Sequence, residues 1–189
     1  MVNEDFKREI ISSFTKGFEE AVIPSSDTSS WRIKEKTSNE ADHESEFFVL
    51  TISSQLFRIF VLMHFSKSEE TEKYVSDIMK LGSNSPVNED TFYDCLGEIG
   101  NAFCGSMKRD ISKLVPSLGM STPNRLGRDC LKYMSSLKIN FETHAIAEYN
   151  DNPLFYASAY LVADETLEFT ASIRQENESE LDSGELEFF

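Results

Sequence analysis

The stretch Asp94-Cys95-Leu96-Gly97-Glu98-Ile99-Gly100-Asn101-Ala102-Phe103-Cys104-Gly105 separates into two faces when it is wound at about 100° per residue. Phe92, Leu96, Ile99, Phe103, Met107, Ile111 and Leu114 gather on one side as an apolar stripe. Asp94, Glu98, Asn101 and Gly105 gather on the other, with Lys108 beside them. The spacing predicts a helix from about Glu89 to Val115, entered at Asn88 and closed before Pro116, with one face in the core and one polar edge in water. Every surface helix has a solvated face, so the edge alone says little. Gly97, Gly100 and Gly105 say more, because a glycine inside a helix costs roughly 1 kcal/mol relative to alanine. Their bare backbone would let a second protein approach closely.

An earlier stretch matches this one. Asp5, Glu9, Ile10 and Phe14 align with Asp94, Glu98, Ile99 and Phe103 at a constant offset of 89, while Ser12 stands where the later copy has Asn101. Phe6, Ile10, Phe14 and Phe18 recur every fourth residue, so residues 4 to 22 are expected to form an amphipathic helix of the same kind. Two equivalent helices imply a pseudo-symmetric fold in which each turns its Asp-Glu edge outward and its Ile and Phe inward.

Around these helices the chain alternates strand and turn signals. Residues 23 to 43 are mostly polar and read as a loop around one weak strand near Trp31 and Ile33. Residues 46 to 53 and 55 to 65 are rich in Phe, Val, Ile and Leu and are broken by Ser53-Ser54, as expected of two strands at a sheet's centre. Residues 66 to 81 open with serines followed by glutamates and close before Gly82, a helix start and stop. Residues 139 to 149 and 154 to 163 read as strands joined by the Asn150-Asp151-Asn152-Pro153 turn, and 166 to 173 as another. The expectation is an α/β fold of the α+β kind: a mostly antiparallel sheet with two long helices on one face, residues 1 to 173 forming one domain.

Thirty-three acidic against eighteen basic residues give a formal charge of −15, which would repel phosphate backbones and argues against a nucleic-acid partner. The first residues are acidic where a signal peptide needs a basic region, and no apolar run reaches the roughly 18 residues of a membrane span. A cytoplasmic protein with no membrane insertion is expected. Cys95, Cys104 and Cys130 lack metal-ligand spacing, and His43, His64 and His144 are scattered, so no metal site is expected. Kinase, nucleotide-binding and metallohydrolase motifs are missing from the sequence.

The segment from Asp94 to Gly105, followed by Pro123, resembles the signature of the CheC, CheX and FliY phosphatases: Asp or Ser, three residues, Glu, two residues, Asn, then a downstream Pro. Pro123 stands one residue nearer to Asn101 than in the family pattern. With asparagine in one helix and Ser12 in the other, the sequence is similar to the single-site, CheX-like members.

The resemblance implies a phosphatase acting on the phospho-aspartate of a CheY-type response regulator, in chemotaxis or two-component signalling. Hydrolysis of an acyl phosphate needs a placed water and stabilised charge more than covalent help. Asn101 would hold the attacking water, and Glu98 would pair with the regulator's lysine. Asp94, Gly97, Gly105, Lys108 and Pro123 would dock the partner. The chain would need no cofactor of its own, Mg²⁺ belonging to the regulator, and a homodimer is compatible with the resemblance. The alternative is a non-catalytic regulator-binding or flagellar-switch-like scaffold of the same fold. Residues 174 to 189 alternate acids with Leu181, Leu186, Phe188 and Phe189. They read as an acidic, flexible tail able to tether a regulator by a helix-in-groove contact.

Overall fold

The computed structural model describes residues 2–41, 44–81 and 87–163. Helix α1 (Glu4–Val22) starts where the Asn3 side chain accepts from the Phe6 amide, and its buried face carries Phe6, Ile10, Phe14, Gly17, Phe18 and Val22. Strand β1 (Trp31–Lys36) follows, then β2 (Glu46–Ser53) and β3 (Phe57–Phe65). Helix α2 (Glu69–Ile78) is shorter than the sequence suggested and opens at a Ser68–Thr71 capping box, which satisfies two amide donors reciprocally. Helix α3 (Glu89–Ile111) begins at Asn88, whose side chain accepts from the Thr91 amide. Glu89 and Asp90 in its first turn and Lys108 and Arg109 in its last both suit the helix dipole. It ends one turn before the expected Val115.

Residues 116 to 138, for which the sequence offered no assignment, form two short strands, β4 (Gly119–Met120) and β5 (Asn124–Gly127), and a 3₁₀ segment (Arg128–Ser136). Strands β6 (Phe141–Tyr149) and β7 (Asn152–Ala163) complete the sheet as a hairpin. Asn150 and Asp151 at its tip both have positive φ, as a two-residue turn matching strand twist requires. The strand expected at 166 to 173 and the tail with Leu181, Leu186, Phe188 and Phe189 lie outside the described residues.

The seven strands run in the order β1-β6-β7-β3-β2-β4, with β5 also on β2, and every pairing is antiparallel. This order is its own mirror. Strands β3 and β7 pair at the centre, β2 and β6 flank them, and β1 and β5 close the two ends on the partner half's strand. Each half is therefore a helix followed by strands, as the repeat implied.

Helices α1 and α3 cover one face, over a core from Phe6, Phe14, Phe18, Leu96, Ile99, Phe103 and Met107 to Phe48, Leu50, Ile59, Phe155 and Ala157. The two helices cross very closely at Gly17. A Cβ there would lie 3.1 Å from the Phe103 carbonyl oxygen and 3.3 Å from the Met107 amide nitrogen, both backbone atoms. The second face is not bare. Phe47, Leu62 and Tyr160 are roofed by Leu131, Met134 and Ile139, mainly from the 3₁₀ segment, a layer the periodicity of the long elements did not reveal.

Candidate functional site

The outward edge of α3 carries the residues singled out in the sequence. Asp94 and Glu98 are exposed, and Asn101, Gly105 and Lys108 are half-buried at the surface. The stripe from Phe92 to Ile111 is buried beneath them, Leu114 only partly. Glu98 and Asn101 are three apart on one helix, so their side chains leave it on the same side. Among the described residues, neither has a hydrogen-bond or ion-pair partner, and the same holds for Asp94. A carboxylate and a carboxamide thus stand next to each other with their bonding capacity unspent.

The edge has two unlike flanks. Toward β2 and β5, the Tyr93 hydroxyl donates to Glu46 at 2.8 Å, and the Arg125 guanidinium lies 3.7 Å from the Tyr93 ring centroid. Arg125 also reaches Glu46 at 3.5 Å, so this cation is committed locally. Burial, then the bond to Glu46, raises the Tyr93 hydroxyl pKa. Toward α1 and α2, a shallow groove runs along the helix, lined by Glu20, Ile78, Met79, Asp94, Glu98 and Ala102 among others.

The glycines divide in a way the sequence did not suggest. Gly97 is buried and a Cβ on it would meet the Phe48 ring at 3.8 Å, while one on Gly100 would come to 3.3 Å from Leu50 Cδ1. Gly100, the tighter of the two, lets α3 settle closely onto β2, while Gly97, expected to dock a partner, is buried beside Phe48 with room for an ordinary contact. Gly105 has no heavy atom within 4 Å of an added Cβ and is the one glycine of the three whose bare surface faces open space. Pro123 is half-buried in the link between β4 and β5. It stands one position before Asn124, which pairs with Val49 of β2.

The matching edge of α1 is differently furnished. Asp5 is paired with Arg8, Lys7 bonds Glu4 at 2.7 Å, and Ser12, exposed, replaces the carboxamide. Farther along, Lys16 reaches Asp110 of α3 at 2.8 Å and Glu20 accepts from the Ser106 hydroxyl at 2.6 Å. Lys16 and Glu20 of α1 meet Asp110, Ser106 and Arg109 of α3 across the helix pair, whereas Asp94 and Glu98 of α3 have no ion-pair partner among the described residues.

Cys95 and Cys104 are buried free thiols, Cys104 pushed up to about 12 by burial, and Cys130 is half-buried. His64 and His144 lie in the sheet's second face, away from α3, and His43 lies outside the described residues. Among the described residues no group of His, Cys, Asp and Glu could hold a metal ion, and no helix is long and apolar enough to cross a membrane.

No family model matches the sequence, and no curated protein does either. Solved structures do match. A chain of the CheX–CheY–BeF₃–Mg²⁺ complex from Borrelia burgdorferi aligns with 85% of this chain and 99% of its own length, at a TM-score of 0.61 and 8% identity. The chain has the fold of the CheX and CheC chemotaxis proteins. A chemotactic CheC-like protein from Shewanella oneidensis MR-1 aligns with 82% of this chain and 99% of its own, at a TM-score of 0.61 and 13% identity. CheX from Vibrio vulnificus aligns with 83% and 99%, at a TM-score of 0.56 and 12% identity. The likeness is one of fold, since few residues are shared.

Proposed function

We propose that the protein is a cytoplasmic phosphatase of a CheY-type response regulator, with Glu98 and Asn101 as the residues that act on the phospho-aspartate. The observation that carries this reading is the pair's condition: exposed or half-buried, on one side of one helix, with no hydrogen-bond or ion-pair partner among the described residues. A carboxamide can accept and donate at once, as a group that orients an attacking water must. A carboxylate three residues earlier can meet a lysine, which fixes the register of the partner. The solved complex of a CheX with CheY, BeF₃ and Mg²⁺ on the same fold supports a receiver domain as the partner.

The reaction asks little more of this chain. The Mg²⁺ and the phosphorylated aspartate belong to the regulator, and the helix supplies a water-positioning group and a fixed counter-charge to a site already assembled. Asp94 is a docking residue one turn before Glu98, and Gly105 leaves room for the partner's surface. Lys108 borders the same edge, and Pro123 would dock the partner from the link between β4 and β5.

The test mixes the purified protein with CheY-type receiver domains phosphorylated by acetyl phosphate and follows phosphate release. Acceleration that is lost in Asn101→Ala supports the phosphatase. Binding of a receiver domain without acceleration would instead make the protein a scaffold of the same fold.

A further inference from the structure

The groove beside Glu98 is walled by three different helices. Its floor is Ala21 from the end of α1, Ile78 and Met79 from the end of α2, and Ile99 and Ala102 from α3, around a space of about 430 Å³. Met79 is 47% exposed, unusual for a methionine that closes a helix over a core. Glu20, Asp94 and Glu98 stand along the rim. Glu20 is partly neutralised, with Lys16 at 4.0 Å and Arg109 at 3.6 Å. Asp94 and Glu98 have no ion-pair partner among the described residues. An apolar trough edged by unneutralised carboxylates is complementary to an apolar side chain with a basic one next to it.

We infer that this groove is the surface by which the protein selects its regulator, receiving a segment of the receiver domain that carries an aliphatic or aromatic side chain beside a lysine or arginine. The inference rests on the receiver-domain reading of α3 and adds α2 to it. Methionine suits the task, because its flexible, polarizable side chain adapts to whatever apolar group arrives. The groove runs alongside Glu98, so a partner held in it is carried to the Glu98–Asn101 edge in one orientation. The acidic rim hastens encounter with a basic segment, and it excludes acidic ones.

The experiment measures kcat and KM for dephosphorylation of the receiver domain that the wild-type protein accelerates most. It also measures the Kd of each receiver domain of the panel in its BeF₃⁻–Mg²⁺ form, using wild type, Met79→Asp, Met79→Leu and Asn101→Ala. Met79→Asp is expected to raise KM and Kd at least tenfold with kcat within twofold, Met79→Leu to match wild type, and Asn101→Ala to lose kcat alone. The wild-type Kd should also rise several-fold between 50 and 300 mM NaCl, as opposite charges are screened. Unchanged KM and Kd in Met79→Asp overturn the groove while leaving the phosphatase standing. Absence of turnover with every domain sinks the phosphatase, and the BeF₃⁻ binding arm then decides the groove alone: loss of binding in Met79→Asp supports it, and equal binding, or none to the wild type, overturns it.

Discussion

The rings of Phe14 and Phe103 pack 5.5 Å apart, centroid to centroid, in the seam between α1 and α3, and they occupy the same place in the two copies of the repeat. The residue that matches by sequence therefore touches its own counterpart, as it must if a pseudo-twofold axis passes between the helices. Phe18 joins them at 5.3 Å from Phe103. The seam is aromatic and dry at its centre and ionic at its end, where Lys16 meets Asp110.

Removing the carboxamide is the direct test of the reading of α3. Asn101→Ala is expected to bring the decay of a phosphorylated regulator back to its unassisted rate, a loss on the order of a hundredfold or more, as when one transition-state hydrogen bond is removed. Thermal stability should stay within about 0.5 kcal/mol, because the side chain has no partner among the described residues. A stopped-flow or radiolabel decay curve checks it; a full rate in the variant would take Asn101 out of the chemistry.

At the helix crossing, Gly17→Ala gains helix propensity of roughly 1 kcal/mol but drives a methyl group into two backbone atoms of α3, where overpacking costs about 1–3 kcal/mol. The balance is a destabilisation of about 1 kcal/mol, and Gly17→Val should cost considerably more. Urea denaturation measures both. A stabilised alanine variant would mean that α1 and α3 slide apart freely.

Acid should weaken the protein in two separate windows. His64 is 1% exposed against the Phe47 ring, its Nε2 has no partner among the described residues, and burial, then the charge of His144, lowers it to about 4. The unfolded chain takes up this proton near the ordinary 6.5, so stability is complete above that value and declines as pH falls toward 4, by about 3 kcal/mol in all. His64→Leu should flatten the slope between these limits in pH-dependent denaturation. An unchanged slope would assign it to other groups.

The second window lies lower. Asp110, with its side chain 9% exposed, accepts from Lys113 at 2.7 Å and Lys16 at 2.8 Å, and these bonds, Lys113 first, hold its carboxyl below the ordinary carboxylate value. Its contribution is present above that ordinary value and disappears as pH falls through the lowered one. Both lysines are half exposed or more, so Asp110→Ala should cost only about 1 kcal/mol at neutral pH, and nothing in strong acid. Chemical denaturation at pH 7 and pH 2 separates the two cases.

Deleting residues 175 to 189, with Leu181, Leu186, Phe188 and Phe189, should raise the KM for the regulator and leave kcat unchanged if the acidic tail is a tether. Isothermal titration of the two chains against one receiver domain checks it, and equal affinities would dismiss the tether.

The two long helices and the inner strands were legible because their apolar residues keep strict periods: every fourth position from Phe6 to Phe18, and near-continuous apolar runs in β2 and β3. The outward placement of Glu98 and Asn101 followed from the same winding. What escaped was short or depended on distant partners. Gly97 looked like bare surface because its burial is caused by Phe48, a residue some fifty positions earlier. Strands β4 and β5 hold two and four residues, too few to show any period, and exist because β2 offers an open edge. The groove at Met79 needs three helix ends to meet, which no local pattern encodes.

The interleaved strand order has a practical corollary. Each terminal strand lies on the opposite half, β1 on β6 and β5 on β2, so a chain cut between α2 and α3 would yield two pieces with raw sheet margins and uncovered aromatic seams. Neither piece could persist alone, yet each carries what the other lacks. Produced together they should reassemble into the native object, which makes this protein a natural candidate for a split reporter that lights up only when both fragments share a compartment.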